Sequence, residues 1–154
     1  MIVELNFLSM AVIIFLPFLA AAFTFLIYPF LKEKTAYFAA LVALICSILI
    51  INLIGTTGSI SIPLVSSLDI HLRFYVDGLS ILVGLLASGM GILTFVYSFG
   101  YMQTKAQSPT YYASLLVFMG SMLGIVFSAD LIILFVFWEL TSLSSYLLIG
   151  YFND

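Results

Sequence analysis

One acid stands where a bilayer would be driest. In LFVFWELTSLSSYLLIGY, residues 134–151, Glu139 is the only charged side chain in a run otherwise apolar enough to span a membrane. A charge at the centre of such a helix costs roughly 2.5–3.5 kcal/mol on insertion scales, so the residue needs a partner or a task. About nine residues into a helix that rises 1.5 Å per residue, it lies roughly 13 Å below the surface, too deep for its side chain to reach water. Helical spacing puts Ser142 at i+3, Tyr146 at i+7 and Gly150 at i+11 on the same face, with Thr141, Ser144 and Ser145 elsewhere. That stripe suits a proton or ion relay, in which the Glu139 carboxyl changes protonation as a neighbouring charge or water chain comes and goes. Ser142 and Tyr146 are the candidate lining residues. The plainer chemistry is a carboxylic acid that stays neutral and hydrogen-bonds to a neighbouring helix.

The other polar residues offer less. His71, the only histidine, falls on the polar side of an alternating segment and reads as a solvated side chain rather than a proton carrier or metal ligand. Cys46, the only cysteine, lies in an apolar run, where it can form no internal disulfide and reads as a small packing residue. Ser128 and Asp130 precede a helix and are suited to satisfying its free amides. Gly120, Gly124 and Ser128 form a small-xxx-small row, and Gly84 and Ser88 a shorter one; both read as helix-packing seams. No nucleophile stands with a base, no glycine loop is built for phosphate, and no ligands are spaced for a metal. No cofactor or metal site is therefore expected, and the chain is not read as an enzyme.

These residues need membrane helices to position them. Of 154 residues, 64% are hydrophobic, 16% aromatic and only 7% charged, a balance that requires a lipid bilayer around the chain. The net charge of −3 rests on four basic and seven acidic residues with no basic patch, which excludes nucleic acid as a partner. The first apolar run is too long for a signal-peptide core, lacks a basic flank before it, and is read as a mature helix with a kink at Pro17. Apolar runs and turn residues predict helices over about 5–31, 36–53, 78–101, 110–127 and 130–151. Between the second and third, SISIPLVSSLDIHLRF alternates, with Leu68, Ile70, Leu72 and Phe74 opposite in parity to Asp69, His71 and Arg73. The expected fold is an all-α membrane protein, one transmembrane domain over residues 1–154, with five spanning helices and a short extracytoplasmic β-hairpin over about 59–75. Ser128 and Ala129 alone separate helices four and five, which must be antiparallel neighbours.

Five crossings put the termini on opposite faces. Lys32, Lys34 and Lys105 share one side against Arg73 on the other, so the lysine side is expected to be cytoplasmic, with the N-terminus outside the cell membrane and the C-terminus inside. Tyr28, Tyr37, Tyr97, Tyr101, Tyr111 and Tyr112 gather near that lysine side, as expected of an aromatic belt at headgroup level.

FYVDGLS at the start of the third helix, FSADLIILFVFWELTSLSSYLLIGY across the fourth and fifth, and the hairpin together resemble the antiporter-like subunits of Mrp-type multisubunit sodium/proton antiporters and of respiratory complex I. WELTSLSSYLLIGY is similar above all to the large Mrp antiporter subunit. The resemblance runs from the first helix to the end of the chain. It implies that Glu139 takes the role of the fifth-helix acid of that family, which pairs with a lysine on a later helix and switches during proton transfer. Such subunits have about fourteen helices in two inverted repeats of five, and this chain corresponds to the part before either repeat.

None of Lys32, Lys34, Lys105 and Arg73 lies deep enough to pair with Glu139. A basic partner is expected from another polypeptide, one of the membrane subunits that supply the missing helices. The first reading is thus a transporter-type subunit of a multisubunit ion-translocating complex, moving protons or exchanging sodium ions and protons. The alternative is a structural or assembly subunit without its own ion path. An autonomous channel would need polar stripes on more than one helix, and only the fifth carries one.

Overall fold

The computed structural model describes residues 7–65, 70–101 and 109–151. Its elements in chain order are α1 (Phe7–Leu31), a single 3₁₀ turn (Lys32–Lys34), α2 (Thr35–Ile51), β1 (Gly58–Val65), β2 (Ile70–Val76), α3 (Gly78–Tyr101), α4 (Pro109–Phe127) and α5 (Leu131–Gly150). Residues 5 and 6 of the first predicted helix, the hairpin tip with Leu68 and Asp69, and the loop holding Lys105 lie outside the described residues.

Among the described residues, four helices are long and apolar enough to cross a membrane. The fifth, α2, has 17 residues and covers about 26 Å, short of the ~30 Å of hydrocarbon. It gains one tighter turn, in which Leu53 and Ile54 donate to Ile50 and Ile51 at 3.0 Å each, before Gly55 turns the chain at φ 84°. Exposed leucine, phenylalanine and isoleucine side chains cover the outside of the bundle. So large an apolar surface is tolerable only in lipid.

α4 is the central helix: it packs on α1 and α5, meets α3, and touches α2. α2 and α3 form a second antiparallel pair, and α1 bridges α2 and α4. Several buried hydroxyls are satisfied within their own helices, as hydrocarbon favours. Thr24 donates to the Ala20 carbonyl at 2.8 Å, Ser121 to Val117 at 2.7 Å and Ser144 to Leu140 at 2.8 Å. Between helices, Ser47 of α2 donates to Ser88 of α3 at 2.8 Å.

Pro17 gives Cys46 its place. Proline has no amide hydrogen, so the carbonyl four residues earlier, that of Ile13, loses its helical donor. The buried Cys46 thiol of α2 donates to that oxygen at 3.8 Å, as sulfur distances allow. The cysteine is a packing residue, and it is also a donor to the carbonyl that the proline leaves free.

The hairpin is a two-stranded antiparallel sheet in which Ile60 pairs with Phe74 and Ile62 with Leu72, and a bulge falls between Pro63 and Val65. Its alternation is visible in β2, where Phe74 and Val76 are buried while Arg73 and Tyr75 are exposed. The sheet is tied to the α4–α5 turn: Ala129 donates its amide to the Arg73 carbonyl at 2.9 Å, and Phe74 bridges to Ser128. Hairpin and α4–α5 turn therefore share one end of the bundle, and Lys32 and Lys34 lie in the α1–α2 turn at the other.

Of the tyrosines near that lysine end, Tyr37, Tyr97 and Tyr101 are exposed as a belt requires, and Tyr97 stacks on Tyr101 with centroids 5.7 Å apart. Tyr112 is fully buried, which corrects the belt reading for that residue. It lies on the packed side of the central helix, where no lipid-facing position exists.

Candidate functional site

The site is built on α5, and the rotation of α5 decides what it can do. Only Ile133, Phe137 and Ser144 of this helix are buried. At 3.6 residues per turn they fall within about 40° of one another, and with Phe137 as origin Ser142 lies at about 140°, Tyr146 at about 180° and Glu139 at about 200°. All three are exposed, on the face opposite the seam. Glu139 comes eight residues after Leu131 and eleven before Gly150, about 12 Å from one end of the helix and about 17 Å from the other.

The Glu139 side chain makes no hydrogen bond or ion pair among the described residues. Ser142 donates back to the Trp138 carbonyl at 3.3 Å, a weak bond to an oxygen that Thr141 already holds at 2.6 Å. The stripe is thus an open carboxyl beside a loosely held hydroxyl and an exposed phenol. Lys32, Lys34 and Arg73 are all outside α5 and none pairs with Glu139.

Glycine lets the seam close. A Cβ on Gly124 would meet the Phe137 ring, with Cγ at 2.5 Å and Cε1 at 2.6 Å, so the ring lies directly on α4 backbone. One turn earlier, a Cβ on Gly120 would come within 3.0 Å of both Pro17 Cβ and Phe18 Cε2 of α1. The two rings also meet each other, Phe18 and Phe137 having centroids 6.2 Å apart. The small-residue row therefore serves two different neighbours, α1 at Gly120 and α5 at Gly124. Ser128, at its end, donates to the Gly124 carbonyl at 2.9 Å and carries the bridge to the hairpin. The cap of α5 is Asp130, whose Oδ1 accepts the Ile132 amide at 2.9 Å.

A second carboxylate, Asp77, is also structural. Its Oδ1 accepts the Ser80 amide at 2.7 Å while Ser80 Oγ accepts the Asp77 amide at 2.8 Å, a reciprocal cap on α3. These bonds, that from the Ser80 amide first, hold its carboxyl below the ordinary range. Sequence reasoning passed over the cap although DGLS before an apolar run signals it. Nothing in the sequence signals the Phe137 contact.

A cleft of about 440 Å³ between α3 and α4 does not include Glu139. Leu86, Met90, Phe95, Met119 and Met122 line it, and it holds no titratable group. Among the described residues no three histidine, cysteine or acidic side chains gather as metal ligands.

Comparison with known proteins agrees with this architecture. The family described as NADH-Ubiquinone oxidoreductase (complex I), chain 5 N-terminus, matches residues 62–112. The A subunit of the Na(+)/H(+) antiporter of Alkalihalophilus pseudofirmus is 43% identical over 142 residues, 88% of this chain and 18% of that protein. The A1 subunit of the Na(+)/H(+) antiporter of Staphylococcus haemolyticus is 38% identical over 156 residues, 97% of this chain and 19% of that protein. The chain thus spans about a fifth of the length of the curated relatives it matches. Among solved structures, a chain of the Mrp complex from Dietzia sp. DQ12-45-1b superposes with a TM-score of 0.78 at 28% identity, covering 92% of this chain and 15% of that one. The membrane-bound sulfane sulfur reductase, an archaeal respiratory membrane complex, shares the fold at 18% identity, with a TM-score of 0.75 over 90% of this chain and 22% of that one. The chain is a multi-pass membrane protein that belongs to the antiporter-like subunit family, matching the N-terminal part of Mrp-type antiporter subunits.

Proposed function

We propose that the chain works as part of a multisubunit membrane complex that exchanges sodium ions for protons, and that Glu139 is its relay carboxyl. The observation that carries this reading is the setting of Glu139: mid-helix, opposite the packed seam, and without a partner among the described residues. A carboxyl so placed is costly against lipid, so the face that carries it suits contact with protein or water. Basic side chains on other membrane subunits, or on further helices of a longer polypeptide, would pair with it. Ser142 and Tyr146 then line the path toward the end of α5. The names of the relatives support ion exchange, and their length supports a larger machine of which these five helices are one part.

Glutamine keeps the size and hydrogen bonding of Glu139 but cannot exchange a proton, whereas aspartate keeps the titratable group and withdraws it by one methylene. In the complete complex in everted vesicles, proton efflux on a sodium pulse should fall in the order wild type, Glu139→Asp, Glu139→Gln, with glutamine inactive and assembly unchanged. Wild-type exchange by Glu139→Gln sinks the relay and leaves a structural subunit.

The reading also assigns an orientation. Lys32 and Lys34 face the cytoplasm and the hairpin faces outside, following the bias of basic residues. Single cysteines at Lys34 and Arg73 in a Cys46→Ala background should be labelled by an impermeant maleimide from opposite sides. Labelling of both from one side overturns it.

A further inference from the structure

We infer that the Phe137 ring, seated on bare α4 backbone at Gly124, fixes the rotation of α5 and so aims Glu139 away from the bundle. Phe137 is thus a positioning residue for the relay. This deepens the relay reading and rests on it.

Three observations converge. First, α5 is held through a narrow seam, since Ile133, Phe137 and Ser144 are its buried residues, and Phe137 is the only large ring among them. Second, the ring has a neighbour on α1: the Phe18 ring lies beside it with centroids 6.2 Å apart, and Phe18 in turn lies close over Gly120. Third, Glu139 lies about 200° around the helix from Phe137, so any rotation forced at the seam is delivered to the opposite face. The contact at Gly124 leaves no room for even one methyl group. Restoring an ordinary contact of 3.4 Å to Cγ, now 2.5 Å from that position, requires the helix or the ring to retreat by about 0.9 Å (3.4 − 2.5), and the nearer Cδ1 requires slightly more. A displacement of about 1 Å at a reacting group can cost on the order of a hundredfold in rate.

The test uses the complete complex in everted vesicles, with sodium-driven proton efflux expressed per assembled complex. Gly124→Ala should lower kcat roughly ten- to a hundredfold with the KM for sodium and the amount of complex unchanged. Adding Phe137→Ala, which removes the ring that the new methyl meets but also the positioning side chain, should bring the rate up to that of Phe137→Ala alone and no further. Gly91→Ala is the control, because its methyl would press on the Met119 sulfur at 2.6 Å, between α3 and α4 and away from α5; its turnover should match wild type. Turnover of Gly124→Ala within twofold of wild type, or an equal loss in Gly91→Ala, overturns the inference. Should Gly124→Ala fail to assemble, Phe137→Ala alone decides: reduced kcat per complex supports positioning, and unchanged kcat overturns it. With Glu139→Gln run alongside, glutamine transport at the wild-type rate overturns the relay and this inference together. Transport lost in Glu139→Gln but kept in Gly124→Ala overturns this inference alone.

Discussion

Cys46 and Pro17 should be energetically coupled although they lie on different helices. In the wild-type chain the Cys46 thiol is the donor to the Ile13 carbonyl, at 3.8 Å, because residue 17 has no amide hydrogen. Cys46→Ala removes that donor and also the packing of the sulfur. Hydrogen bonds between membrane helices average about 0.6 kcal/mol in double-mutant cycles and reach about 1.7. Alanine at position 17 supplies an amide that can close the bond to Ile13, and it retains the Cβ that packs at Gly120. In the Pro17→Ala background the loss of the sulfur contacts persists but the lost hydrogen bond no longer matters. Cys46→Ala should therefore cost about 0.6 kcal/mol less there than in the wild type, with about 1.7 as the upper bound. The four proteins of the cycle would be unfolded by SDS titration in mixed micelles and followed by helix circular dichroism. An identical cost of Cys46→Ala in both backgrounds refutes the coupling and returns Cys46 to a filler of space.

Gly120→Ala should destabilise the same preparation by about 1–3 kcal/mol, because its methyl would press on Pro17 and Phe18 at 3.0 Å. Gly89→Ala, which meets nothing within 4 Å, should be neutral or stabilising by up to about 1 kcal/mol through helix propensity; equal losses at both glycines contradict the close approach at Gly120. The cap on α3 should be pH-dependent in one direction. The Asp77 carboxyl is held below its ordinary value by the Ser80 amide, so its contribution to stability is full above that ordinary value and is lost as acid takes pH down through the lowered one. Asp77→Asn, which caps without titrating, should flatten that acid limb in the SDS titration, and an unchanged limb counts against the assignment.

The five helices and the hairpin could be read from the chain because both signals are local. An apolar run of spanning length must become a helix in lipid, where every backbone group needs a partner, and strict alternation before Asp77 can only be a strand. The mid-helix position of Glu139, and the face it shares with Ser142 and Tyr146, follow from rise and turn per residue alone. What the sequence could not say is which way each face points. α5 is apolar nearly all the way round, so no moment marks its inner side, and only packing on α4 sets Phe137 inward and Glu139 outward. The same holds for Tyr112, which looks like a belt tyrosine until α4 proves to be the central helix, and for Gly120 and Gly124, one row in sequence but two separate contacts in space. Cys46 and Ile13 stand 33 residues apart, and their bond exists because the fold brings a thiol to the carbonyl that a proline has freed. Helical periodicity fixes angles within a helix, whereas its rotation about its own axis is set by the shapes of its neighbours, which are distant in sequence.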